Sequence, residues 1–238
     1  MRYLVFALSI LTAFALFAGC DDVVHIGQEQ EIEIGQNAAA QLEAQEGLWK
    51  NAAATARLEA IGKKLAANTD RQDLPWSFKI LDQTQVNALA LPGGFVYVTR
   101  GLMERDIDDQ ELAGITAHEI SHVTNRHGID RIEEALTTSI VVSIVTENSK
   151  ESIQQAADIA LNMILLEGYR DEEYEADKDG TRLAFKTGYK ADGLLQFLRY
   201  IKDQETREPS DLETWVSTHP PTSKRINRLE EFLPELTR

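Results

Sequence analysis

The sequence predicts an α+β domain dominated by helices, with one small sheet in its first half. Three observations carry that expectation. Apolar residues recur at spacings of three and four over long stretches, as in Leu58, Ile61 and Leu65. One segment alternates instead, and beside it two short apolar runs flank a Pro-Gly-Gly turn. The chain has 238 residues, 43% of them hydrophobic, enough for one substantial core.

The elements follow in order. Residues 27–47 (GQEQEIEIGQNAAAQLEAQEG) are rich in Ala, Glu and Gln, which favour helix. A second helix is predicted over 51–70, ended by Pro75. Residues 76–83 (WSFKILDQ) alternate, with Trp76, Phe78 and Ile80 on one side. NALAL and FVYVT flank Pro92-Gly93-Gly94, which reads as a hairpin and brings the sheet to three strands. From Asp108 onward the pattern is helical. Asp108 and Asp109 suit the positive end of a helix dipole. Further helices are predicted at 131–145, 151–167, 169–187, 191–206 and 222–233. The apolar second half of 131–145 is too short to span a bilayer and reads as a buried or cleft-lining helix.

The charge balance excludes one class of partner. With 24 Lys+Arg against 39 Asp+Glu, the formal charge is −15. Such a surface repels phosphate backbones, so no nucleic-acid partner is expected.

The N-terminus carries a targeting pattern. Arg2 precedes an apolar run from Leu4 to Ala18, followed by Gly19 and Cys20, the only cysteine in the chain. A basic start, a short apolar core and small residues before a break describe a secretory signal. The run resembles a bacterial lipoprotein signal, which implies cleavage before Cys20 and diacylglyceration of that cysteine. The expected division is a signal at 1–19, a tether at 20–26 and one domain at 27–238. Asp21 follows the acylated position; in enteric bacteria that residue tends to retain lipoproteins in the inner membrane.

The chemistry concentrates in GITAHEISHVTNRH, residues 114–127. On a helix, His118 and His122 lie on one face, one turn apart, where two neutral imidazoles can reach one zinc ion. Glu119 lies beside them, and in this motif type it acts on water rather than on the metal. Zinc lowers the pKa of a water it holds to about 7. Glu119 is therefore the expected general base. A catalytic zinc needs a third protein ligand. One design places a histidine six residues after the second, but Gly128 stands there and His127 is one residue off. The acidic stretch GYRDEEYEADKDG (168–180) offers Glu172, Glu173, Glu175 and Asp177 on a predicted helix. Composition alone leaves these carboxylates open, and equally fits a solvated helix start.

HEISHVTNRH followed by YRDEEYEADKDG is similar to metallopeptidase family 48, whose members include the CAAX prenyl proteases. The family pairs the HExxH helix with a later S-R-x-x-E-x-x-A-D segment, matched here by Arg170, Glu173, Ala176 and Asp177. The resemblance implies a zincin-like fold and one zinc ion per chain, held by His118, His122 and Glu173. Asp177 would orient a zinc-binding histidine through its other ring nitrogen. NALALPGGFVYVTRGLM (87–103) resembles the family's edge-strand element, so Asn87, Ala88, Leu89 and Ala90 are candidates to pair with an extended peptide. STHPPTSKRI (217–226) resembles the family's T-H-P-x-x-x-x-R-I. His219 and Arg225 are therefore candidates to stabilise an oxyanion, and His219 could instead close the site as a fourth ligand. His127 matches the last histidine of the family string and is expected to support the fold.

The implied function is a stand-alone zinc endopeptidase, lipid-anchored at the periplasmic face of the bacterial envelope and cleaving misfolded or damaged polypeptides. The alternative is a peptide-binding chaperone or assembly factor with a latent protease site.

Overall fold

The computed structural model describes residues 25–138, 149–164, 170–204, 215, 218–219 and 222–237. Helices α1 (Gln28–Glu46) and α2 (Ala52–Ala66) come first, then strands β1 (Ser77–Leu81), β2 (Ala88–Leu91) and β3 (Phe95–Thr99). Next are a short α3 (Arg100–Glu104), the motif helix α4 (Asp109–Thr124) and α5 (His127–Thr138). Helices α6 (Lys150–Ile164), α7 (Arg170–Lys186), α8 (Gly193–Gln204) and α9 (Thr222–Leu236) complete the described elements. The expected α+β class, helix-dominated with three strands, is what the structure has.

The strand order is β1-β3-β2, with β3 parallel to β1 and antiparallel to β2. β3 is apolar on both faces because both faces are covered. Val96 and Val98 enter one core with Phe78, Ile80, Leu112, Ile115 and Phe197. Phe95 and Tyr97 enter a second core with Ile34, Leu89, Leu91, Ile132 and Ala156. The sheet thus separates α2, α4, α8 and α9 from α1, α5 and α6. The β2–β3 turn runs through Gly93 at φ 75°, and an added Cβ there would lie 2.9 Å from Ile32 Cα. Only glycine supplies that backbone and that approach together.

Local chemistry sets the boundaries. Asp108 caps α4 by accepting from Gln110 N and Glu111 N, both at 2.8 Å. Arg126 adopts φ 61° between α4 and α5, so the next helix begins at His127, earlier than the expected 131. β1 is shorter than predicted: past Leu81 the chain turns, and Asp82 N donates to Gly47 O at 3.1 Å. The signal at 1–19, Cys20, Asp21 and the apolar half of the 131–145 helix lie outside the described residues. Among the described residues, no helix is long and apolar enough to cross a membrane.

Candidate metal centre

Two helices build the centre. α4 carries His118 and Glu119 inside the core and His122, partly buried, at its edge, and α7 crosses it closely. Gly180 permits the crossing: a Cβ there would meet His118 N at 2.7 Å. One turn and two turns before Gly180, α7 presents Asp177 and Glu173 to the motif helix, both buried.

The geometry converges on one point. His118 Nε2 and His122 Nε2 lie 3.1 Å apart. Glu173 Oε1 is 3.4 Å from His122 Nε2, and Glu173 Oε2 is 3.7 Å from His118 Nε2. His219 Nε2 is 3.4 Å from Glu119 Oε1. Ligand atoms of His118, His122, Glu173 and His219 all lie within 4.8 Å of one another.

The outer ring nitrogens show what the inner ones offer. His118 Nδ1 faces Asp177 Oδ1 at 3.1 Å. A carboxylate can only accept there, so His118 carries its proton on Nδ1 and turns the Nε2 lone pair inward. His122 Nδ1 lies 2.9 Å from His127 Nδ1, which leaves its Nε2 facing the same point. Two lone pairs and a carboxylate aimed at one spot repel each other unless a cation joins them. Tetrahedral zinc with bonds of about 2.0–2.1 Å places its donor atoms about 3.3 Å apart, close to the separations of 3.1, 3.4 and 3.7 Å. The donor set therefore fits a metal ion.

Charge is arranged around that point. Arg225 is fully buried and forks onto Asp177, with Nε to Oδ2 at 2.8 Å and Nη2 to Oδ1 at 2.6 Å. Its Nη1 reaches Glu173 Oε2 at 2.8 Å and donates to His219 O at 3.0 Å. Burial alone would raise the Asp177 pKa, but Arg225 overrides it and holds the carboxyl below its ordinary range. Burial acts the same way on Glu173, yet His219 and Arg225 hold it well below that range. Glu119 is lowered against its burial by His219. Burial pushes His118 down, while Glu173 lifts His122 despite burial. Burial, with the charges of His122 and Arg131, pushes His127 down to about 3.

A narrow cleft of about 90 Å³ opens over this cluster. Leu89 and Ala90 of β2 line one side, and Glu119, His122 and His219 line the other. Ala88 points into the core and Asn87 is buried beside it. β2 is an edge strand, as expected. Of the two oxyanion candidates, only His219 lines the cleft; the nitrogens of Arg225 face Asp177, Glu173 and His219 O. Glu172 pairs with Arg131, and Glu175 lies on the exposed side, 3.5 Å from His127 Nε2.

Sequence reasoning missed two supports. Trp215, fully buried, stacks on His219 at 4.2 Å. Glu31, also fully buried, accepts from Arg71 Nη2 and Arg126 Nη1, both at 2.7 Å, and from Gly93 N at 3.1 Å. That hub ties α1 to the β2–β3 turn and to the end of the motif helix. Its signal was present: Glu31 shares a helical face with Ile34, Ala38 and Leu42.

A buried His-Glu-x-x-His helix, a glutamate from a second helix and a cleft walled by an edge strand define a metallopeptidase of the zincin type. Comparison with known proteins reaches the same class. The model of peptidase family M48 matches residues 52–233, and the chain belongs to that family. Its relatives include the beta-barrel assembly-enhancing protease of Yersinia pestis, 26% identical over 88% of this chain and 46% of its own length. The mitochondrial metalloendopeptidase OMA1 of Schizosaccharomyces pombe is 29% identical over 76% of this chain and 53% of its own length. The metalloprotease YcaL of Escherichia coli is 27% identical over 94% of this chain and 95% of its own length. The chain thus spans about half the length of the first two relatives and nearly all of the third.

Proposed function

We propose that this chain is a zinc endopeptidase that hydrolyses unfolded or damaged proteins of the bacterial envelope. The observation that carries the chemistry is the convergence of His118 Nε2, His122 Nε2 and the Glu173 carboxylate beside Glu119. The relatives support the setting, since one is named for enhancing β-barrel assembly. We assign residues 27–238 to the catalytic domain, behind a lipoprotein signal at 1–19. Lipid on Cys20 would hold the domain at the periplasmic face, with Asp21 favouring the inner membrane.

His118, His122 and Glu173 would hold one zinc ion, with His118 oriented by Asp177. When bound, zinc supplies Lewis-acid chemistry, acidifying water and polarising a carbonyl. Glu119, whose pKa burial would raise but His219 holds below its ordinary value, takes a proton from the attacking water. It returns that proton to the departing amine as the C–N bond breaks. His219 is placed to donate to the carbonyl oxygen as charge develops there. Arg225 keeps Asp177 and Glu173 charged and in place. An extended substrate lies along β2, pairing with the outward main-chain groups of that strand beside Ala88, Leu89 and Ala90, while the main-chain N–H and C=O of Asn87 are held by Thr99. Unfolded chains suit such a site because a folded one offers no free strand.

One observation favours a second reading. His219 stands close enough to His118, His122 and Glu173 to complete a tetrahedron, and a closed tetrahedron leaves no position for water. The chain would then be latent, a peptide-binding assembly factor until His219 withdraws. Metal analysis with a casein cleavage assay decides between the two. One zinc per chain with cleavage by the wild type supports the protease. An inert wild type with an active His219→Ala supports the latent form. A purified protein without zinc refutes both.

A further inference from the structure

The metal cleft is not the end of the groove along β2. A second cavity, of about 400 Å³, opens beside the start of that strand, between α1 and α6. It shares Leu89 and Thr218 with the metal cleft, so the two adjoin. Its polar lining is one-sided. Glu46 and Asp158 face it together with side-chain amides, and among the described residues no Lys, Arg or His lines it. Asp158 accepts from Gln41 Nε2 at 3.1 Å and Gln154 Nε2 at 3.0 Å, both neutral donors. Glu46 has no ion-pair partner among the described residues.

A buried group points the same way. Asn87 is only 2% exposed, lines this cavity, and its Oδ1 has no hydrogen-bond partner among the described residues. A buried acceptor without a donor is costly to keep. A ligand that brings a donor relieves that cost.

We propose that this cavity is a specificity subsite taking a lysine or arginine side chain of the substrate polypeptide. The proposal rests on the endopeptidase reading for the substrate's path along β2. Leu42, Leu89 and Leu161 in the lining suit the aliphatic stem of such a side chain, while the carboxylates of Glu46 and Asp158 receive its cationic head beside Asn87. Its place follows from strand geometry. Each residue of an extended chain advances about 3.3 Å, so a peptide paired with β2 presents to Asn87 a residue two or three positions from the one beside Ala90. The basic residue therefore stands two or three positions to one side of the bond that is cut.

The test uses the full zinc-loaded chain and unfolded casein, with cut sites read by mass spectrometry. Peptides spanning those sites are then compared with versions in which each Lys or Arg is replaced by norleucine. Lys or Arg at one fixed position should raise kcat/KM on the order of fivefold. The double variant Glu46→Gln, Asp158→Asn should bring that ratio near one. A wild type that cuts with no basic preference, or a ratio unchanged in the double variant, overturns the subsite. Failure to cut casein at all would instead strike the endopeptidase reading. The subsite is then decided by fluorescence anisotropy, with Glu119→Gln and overlapping labelled casein peptides. Tighter binding of a lysine peptide than of its norleucine twin, lost in the double variant, supports it; equal binding refutes it.

Discussion

Replacing Asp177 by asparagine tests how the centre is held. The substitution keeps the shape and removes the charge. In the native chain one carboxylate faces two buried groups: His118 Nδ1 at 3.1 Å, and the Arg225 fork, which donates at 2.8 and 2.6 Å. Asparagine has one acceptor oxygen, and its NH₂ must face a donor. Either His118 or Arg225 then loses a partner. Loss of an outer partner of a metal-binding histidine typically lowers affinity about 10- to 100-fold, or about 1.4–2.7 kcal/mol. The metal-free fold weakens too. Breaking a buried ion pair costs about 3–5 kcal/mol, and the remaining Glu173 contact at 2.8 Å keeps this variant near the low end. Competition against a chromogenic chelator at neutral pH reads the affinity, with circular dichroism as the check on folding. A folded Asp177→Asn protein that binds zinc within twofold of the wild type would show that Asp177 does not orient His118.

Three further outcomes follow from the same geometry. Arg225→Ala strands two buried carboxylates and should lower the urea-unfolding free energy of the metal-free chain by about 3–5 kcal/mol; a loss under about 1 kcal/mol would mean the pair is dispensable. Gly180→Ala inserts a Cβ where His118 N lies 2.7 Å away, so α7 must back off. The expected result is about 1–3 kcal/mol of destabilisation together with weaker zinc binding, and unchanged binding would show that Glu173 does not depend on the close crossing. Glu173 and Asp177 have folded-state pKa values below their unfolded ones. Their contribution is complete above the ordinary carboxylate value near 4 and is lost as pH falls through the lower folded values. The melting temperature of the metal-free chain should therefore fall with acid below about pH 4, less steeply in Arg225→Ala; parallel curves for the two proteins would exclude these carboxylates as the cause.

What the sequence made legible was local. The motif helix could be placed because Asp108 and Asp109 suit the positive end of a helix dipole and His118 and His122 share a face at fixed spacing. The β2–β3 hairpin could be placed because Pro92-Gly93-Gly94 is turn chemistry. Three features depended on packing between distant segments. The parallel pairing of β1 with β3 leaves no periodic mark that a hairpin would not also leave. The spacing of Glu172, Glu173, Glu175 and Asp177 did not say which faces the motif helix; Gly180 sets the crossing that turns Glu173 and Asp177 inward, and the family resemblance had singled them out. The likeness of residues 217–226 to the family's T-H-P-x-x-x-x-R-I makes Arg225 a candidate for the cleft. Two buried carboxylates enclose it instead, and no local pattern announces that.

In the proposed function Glu119 moves the proton while His118, His122 and Glu173 hold the metal. Glu119→Gln separates those roles, because the amide keeps the shape but cannot accept the proton. Zinc content and casein cleavage, measured on one preparation beside an active reference (wild type, or His219→Ala if the wild type is latent), test it most directly. The expected result is one zinc per chain, as in the reference, and no detectable cleavage. Cleavage at the reference rate by a zinc-loaded Glu119→Gln protein would contradict it.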